Sequence, residues 1–166
     1  MTKRTVSSYS FEEIEGILDK TIKKFLQNDR QLLQLSVDER ASTHRIACYF
    51  ENFFENGWHI DCEYNRKGRD PKRQNGGLVR PDIIVHRRDT YDNLLCIETK
   101  KSGEILANDR RKLREFTNEN GEYRYRFGLL LLISLETPES IKGRWYRDGK
   151  VATQWIDYPK KVELND

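Results

Sequence analysis

Three residues in the stretch RPDIIVHRRDTYDNLLCIETKK (residues 80–101) have side chains that could do chemistry together: Asp82, Glu98 and Lys100. Two carboxylates and an amine are costly to bury, and strands that only build a core avoid them. Side chains alternate along a strand, so Asp82, Ile84 and His86 share one face of a first strand, and Cys96, Glu98 and Lys100 share one face of a second. With the turn in the region 89–92, centred between Thr90 and Tyr91, Asp82 falls opposite Thr99, flanked by Glu98 and Lys100. The three side chains then converge. Carboxylates that close raise each other's pKa unless a cation intervenes. A hard divalent ion answers this, and oxygen ligands with open water positions suit Mg²⁺ better than Zn²⁺. Lys100 beside such an ion would orient or activate a water, or offset negative charge building on a phosphate. The competing reading is a charged outer face of the hairpin carrying a cross-strand Glu–Lys pair.

Glu39 weighs on the side of a site. In VDERASTHRIACYFENFFENG (37–57), Ile46, Ala47, Phe50, Phe53 and Phe54 form one helical stripe, and Glu39, two turns earlier, falls inside it. The segment Ser36-Val37-Asp38-Glu39 also reads as a capping box with Ser36 as N-cap. Capping does not require an inward direction, whereas a third carboxylate for a metal site does.

Around this constellation the sequence sets positive charge. RKGRDPKR (66–73) lies in a polar stretch that runs to Gly76-Gly77 and reads as a mobile loop. Arg66, Lys67, Arg69, Lys72 and Arg73 are its candidate phosphate contacts, against the alternative of plain solvated surface. RRKLR (110–114) is a second basic run, in which Lys112 is a candidate contact to a substrate backbone. Asp109 shares the apolar face of the same helix and is either half of a buried ion pair with a nearby Arg or a group that supports the site from behind. His86 reads as a wall residue, with a phosphate contact as the alternative, and His44 as surface. Tyr123, Tyr125, Trp145, Tyr146 and Trp155 have the types that stack on bases, though aromatics in strands more often pack.

The elements that must position these groups follow from periodicity. Ser10-Phe11-Glu12-Glu13 fits a capping box, and Ile14, Ile17, Leu18, Phe25 and Leu26 recur at helical spacing, predicting a helix over about 11–27. A second helix over 37–57 is followed by a strand in WHIDCEY (58–64) and then the hairpin. A third helix is expected within 102–121, with Ile105, Leu113 and Phe116 on one face. YRFGLLLLISL (125–135) is a continuous apolar run, as expected of a strand covered on both faces. GRWYRDGKVATQWID (143–157) reads as a closing hairpin around Asp148-Gly149. Strands and helices share one short chain, so the fold class is α/β (α+β), a mixed sheet flanked by helices in a single domain over 1–166.

Composition narrows the class further. In 166 residues, 36% are hydrophobic and 34% charged, with a net charge of +3, which describes a polar domain with a real core. No apolar run approaches the roughly 20 residues of a membrane span, and the first residues, MTKRTVSSYSFEE, lack a signal peptide's apolar core. Cys48, Cys62 and Cys96 are odd in number and widely spaced, which predicts buried free thiols in a cytoplasmic setting.

RPDIIVHRR…NLLCIETKK resembles the core of the PD-(D/E)xK nuclease superfamily, with its restriction-endonuclease-like fold. Pro81-Asp82 stands for the PD and Glu98-Thr99-Lys100 for the ExK, and Glu39 sits where that superfamily often carries a helical glutamate. The order of elements from 37 to 135 matches as well. The resemblance implies metal-dependent hydrolysis of phosphodiester bonds, with DNA ahead of RNA as substrate. It implies that Asp82 and Glu98 bind Mg²⁺ (or Mn²⁺ as substitute), that Glu39 assists, and that Lys100 positions the attacking water. A nuclease-like domain that binds nucleic acid or a protein partner without cutting stays open, as does a homodimer.

Overall fold

The computed structural model describes residues 9–35, 38–64, 66–67, 70–71, 73–74, 77–134 and 140–161. Helix α1, Phe11–Gln34, opens with the expected capping box: Glu13 N–H donates to Ser10 Oγ (3.1 Å) and Ser10 N–H to Glu13 Oε2 (2.7 Å). It runs a further two turns past the expected end, because the apolar spacing restarts after a break. Asp29 leaves helical geometry (φ −127°, ψ 16°), accepts from Arg45 Nε (3.0 Å) and from the Tyr49 hydroxyl, and lets Leu33 turn back into the core.

Helix α2, Glu39–Glu51, is capped by Asp38, whose carboxylate accepts from Arg40 N–H (3.0 Å). Asp38 therefore takes the capping role expected of Ser36, which lies outside the described residues. The helix also stops before Phe53 and Phe54, which pack at the edge of the core from the turn that follows.

Strand β1, His59–Cys62, leads into a stretch with four two-residue strands: β2 (Arg66–Lys67), β3 (Asp70–Pro71), β4 (Arg73–Gln74) and β5 (Gly77–Leu78). The expected loop thus holds two small antiparallel ladders, β2 with β3 and β4 with β5. Strands β6 (Ile83–His86) and β7 (Asn93–Lys101) form the hairpin, and helix α3 (Ala107–Thr117) crosses over to β8 (Phe127–Ser134). Strand β9 (Ser140–Arg147), β10 (Lys150–Val151) and β11 (Ile156–Tyr158) complete the chain. The main sheet has seven strands in the order β1-β6-β7-β8-β9-β10, with β11 also on β9; β7 and β8 are parallel and the other pairs antiparallel. Asp148 and Gly149 both take positive φ (51° and 74°), the geometry of a tight turn whose twist suits flanking strands.

The two sheet faces are covered by different helices. Ile83, Val85, Leu95, Ile97, Leu129 and Leu131 pack with Ile14, Ile22, Ile46 and Phe50 of α1 and α2. Ile84, Cys96, Leu130 and Tyr146 pack with Leu113 and Phe116 of α3. Strands buried on both faces read as continuous apolar runs, which is why β8 was plain in the sequence. Each such Leu or Ile side chain contributes about 1.5–3 kcal/mol by leaving water. Ile105 belongs to neither face. It is 87% exposed, because α3 starts two residues later than the expected apolar stripe required. Of the three free cysteines only Cys96 is buried; Cys62 sits exposed at the end of edge strand β1. No described helix is long and apolar enough to cross a membrane.

Gly128 fixes how closely α3 approaches the sheet. A Cβ there would meet Thr117 Cγ2 at 2.8 Å and Leu113 Cδ2 at 3.3 Å. Gly128→Ala is therefore expected to push α3 outward and cost about 1–3 kcal/mol, read as a lower midpoint in urea with an unchanged slope.

Candidate active site

The hairpin carries the expected acids to one end of the sheet. Asp82 immediately precedes β6, and Glu98 to Lys100 lie near the end of β7, which runs antiparallel to it. Ile83 pairs with Ile97 and Ile84 with Cys96, one residue away from the expected register, and a bulge follows between Val85 and His86. Asp82 is nonetheless tied to Thr99. Its Oδ2 accepts from the Thr99 backbone N–H (2.7 Å) and from the Thr99 hydroxyl (3.1 Å), leaving Oδ1 as the oxygen that Thr99 does not engage.

Alternation on β7 sends neighbouring side chains in opposite directions. Thr99 points to α2, where its hydroxyl meets Thr43 Oγ1 at 2.9 Å, while Glu98 points to α3. Glu98 is 1% exposed; its Oε2 accepts from Lys112 Nζ (3.2 Å), and its Oε1 is buried with no hydrogen-bond partner among the described residues. Burial, and then the nearby Asp82 carboxylate, push the Glu98 carboxyl up to about 8, against the opposing pull of the Lys112 ammonium. Burial also raises the Asp82 carboxyl, opposed by its two bonds from Thr99 and by Lys112 and Lys100. The two acids thus lie within electrostatic reach of each other at the sheet's end.

Glu39 enters from the start of α2. Burial raises its carboxyl, while Lys100 and a bond from the Lys101 backbone N–H lower it; Asp82 and Glu104 also lie within reach and raise it. Glu39 and Asp82 line one cleft of about 380 Å³ together with Thr43, His44 and Cys62. Lys100, half-buried, makes no hydrogen bond or ion pair among the described residues and stands between Glu39 and Asp82 electrostatically. Among the described residues, no three of His, Cys, Asp and Glu are assembled as a group that could hold a metal ion. Asp82 lies within electrostatic reach of both Glu98 and Glu39, and it lines the cleft with Glu39.

Other candidates fall in varied places. Lys112, expected to touch a substrate backbone, instead holds Glu98 and lies 3.9 Å from Asp109. Asp109 is buried, and its ion-pair partner is this lysine rather than an arginine. His86 is buried with its Nε2 2.8 Å from Asp61, which also binds Arg88. His44 is exposed at the cleft rim, its Nε2 3.6 Å from Cys48 Sγ. Tyr123, Tyr125, Trp145 and Tyr146 are buried packing residues, and Trp155 is half-buried. Arg69 and Lys72 lie outside the described residues, and only the backbone of Arg66, Lys67 and Arg73 is described.

Sequence reasoning missed two contributors, the hydroxyls of Thr43 and Thr99. Thr99 bridges α2 to Asp82, and the only signal was a fully buried polar residue between two charged ones. Thr99→Val should strand the buried Thr43 hydroxyl and free one bond on Asp82. We expect a loss of about 1–3 kcal/mol in chemical denaturation; an unchanged stability would mean that these hydroxyls do not hold the site.

Neither a scan of protein-family models nor a search of the curated proteins returns a match for this chain.

Proposed function

We propose that this chain is a metal-dependent nuclease of the PD-(D/E)xK type, built on a restriction-endonuclease-like version of the α+β fold, that hydrolyses phosphodiester bonds, with DNA ahead of RNA as substrate. The observation that carries the reading is Glu98 Oε1: a carboxyl oxygen, buried beside a second carboxyl group, that has no hydrogen-bond partner among the described residues. A buried orphan acceptor costs about 1–3 kcal/mol, and a hard cation at that position relieves both the orphan and the repulsion from Asp82.

The donor set fits Mg²⁺ or Mn²⁺: Asp82 Oδ1 and Glu98 Oε1 are the oxygens that would hold it, with the remaining positions left to water and phosphate. Bound there, the ion would neutralise charge on the phosphate and lower the pKa of a coordinated water. The chain's own residues do the rest. Thr99 fixes the Asp82 carboxylate by two bonds, and Lys112 fixes Glu98 by one. Lys100, without a competing partner among the described residues, presents its ammonium to the attacking water or to the phosphoryl oxygens. Glu39, within electrostatic reach of that ammonium, offers an acceptor for the water's proton.

The test is incubation with single- and double-stranded DNA and RNA, with Mg²⁺ or Mn²⁺ and with EDTA as control. Cleavage of DNA that EDTA abolishes is expected. Binding without any cleavage under all metal conditions would favour the non-cutting domain instead.

A further inference from the structure

The cleft that holds Asp82 and Glu39 has a rim that the proposed chemistry does not use. Helix α2 supplies one wall through Arg40, Thr43 and His44, and Cys62, Glu63 and Asp82 at the edge of the sheet supply the other. Arg40 reaches across: its Nε lies 3.7 Å from Glu63 Oε1, an ion pair that joins the two walls. Both side chains are exposed (83% and 52%), so the pair is screened by water and opens at little cost. His44 stands one turn along α2 from Arg40, exposed at the same rim.

The two partners are held differently. Glu63 is fastened to the site by main chain: its N–H donates to the Asp82 carbonyl (3.1 Å), and its φ of 48° lies in the left-handed region that a residue with a side chain seldom takes. Arg40 is held only at its tip, and its guanidinium makes no hydrogen bond among the described residues. A guanidinium with unused donors, in the same cleft as Asp82, suits the oxygens of a phosphate, which it can grip with two parallel N–H bonds. At about 380 Å³ the cleft has the size of a small-ligand site, so it takes one nucleotide unit rather than a folded partner. Glu39, Glu63 and Asp82 on its walls repel a free anion. The phosphate that enters must therefore belong to a chain also held elsewhere, or come with a cation.

We propose that Arg40 is the phosphate-binding side chain of this cleft and that Glu63 holds it across the mouth when no substrate is present. A nucleic-acid strand then displaces Glu63 and seats the phosphate next to the scissile one on Arg40, with His44 beside it. The inference rests on the nuclease reading for which bond is cut, whereas binding alone tests whether Arg40 exchanges partners.

The experiment measures binding of a fluorescent DNA oligonucleotide, single-stranded and as a duplex, in Ca²⁺ and again in EDTA at one fixed salt concentration. The variants are R40Q, R40K, E63Q, the R40Q/E63Q double and, on the opposite edge of the sheet, K150Q. Because the Arg40–Glu63 pair is exposed, all should melt as the wild type does. R40Q should weaken binding by about 10-fold or more, whereas K150Q, which removes the same charge elsewhere, should change it by less than about 2-fold. R40K, which keeps the charge without the two-pronged grip, should recover part of the loss. E63Q should tighten binding by about 3-fold when Arg40 is present and by much less in R40Q, because Glu63 acts by occupying Arg40. Equal gains from E63Q in both backgrounds overturn the proposal, as do an R40Q loss no larger than that of K150Q and a wild type that binds neither form of the DNA. If R40Q loses binding while no metal supports cleavage by the wild type, the Arg40 site stands and the nuclease reading falls. If the wild type cuts and R40Q binds as tightly, the nuclease reading stands and the Arg40 site falls.

Discussion

Glu98→Gln is expected to abolish the proposed cleavage, by about 1,000-fold or more in single-turnover assays, and at the same time to flatten the pH dependence of stability in the metal-free protein. The first effect follows from the loss of one of the two carboxylates proposed to hold the cation, and calorimetric titration with Mn²⁺ should show the weakened site directly. The second follows from proton linkage. The Glu98 carboxyl stands near 8 when folded, above its ordinary 4.5, so the folded protein keeps a proton that the unfolded chain releases. The stability from that proton is fully present below about 4.5 and is lost as pH rises through about 8. Melting curves in EDTA between pH 5 and 8 should therefore fall for the wild type and fall less for Glu98→Gln. Parallel curves would mean that Glu98 is ionised in the fold and that its buried environment has been misread.

Lys100→Ala is expected to slow the proposed chemical step by about 100-fold or more while leaving Mn²⁺ affinity and duplex binding close to wild type. The contrast with Lys112 motivates this separation. Lys112 is spent on Glu98, whereas Lys100 has no partner among the described residues and faces Asp82 and Glu39 electrostatically. Phosphate contacts elsewhere supply most of the affinity, so removing one ammonium at the reacting centre should not release the substrate. Cleavage at the wild-type rate would remove Lys100 from the chemistry and undo the ExK assignment.

How far the site was legible in the sequence depended on which physical signal each residue gave. The apolar run of β8 and the Ser10 capping box were plain, because burial on both faces and reciprocal capping leave local patterns. The hairpin was legible to within one residue; the bulge after Val85 shifts the count near the turn, and no residue type there announces it. Glu39 was found from its helical angle, and it does face the cleft. Lys112, expected from its basic run to touch a substrate backbone, holds Glu98 instead. It lies one residue before Leu113, and a four-carbon stem can swing an ammonium either outward or in under the helix. Only the buried Glu98 carboxyl beneath α3, invisible in a linear pattern, decides the direction. The α2 cap moved to Asp38 because two oxygen-bearing candidates stand close together, and either can accept the first free N–H groups.

The connection between β7 and β8 also orders the assembly of the site in time. Asp82 and Glu98 are brought together by a hairpin, a local contact that closes a short loop, while Lys112 arrives only when α3 has completed the crossover that lets β8 lie parallel to β7. Short loops close sooner because less chain entropy is lost. During folding the two carboxylates should therefore meet before their cation does. Removing the repulsion should ease that step, so Glu98→Gln should refold faster than the wild type at neutral pH in EDTA, with the gain shrinking as salt is added.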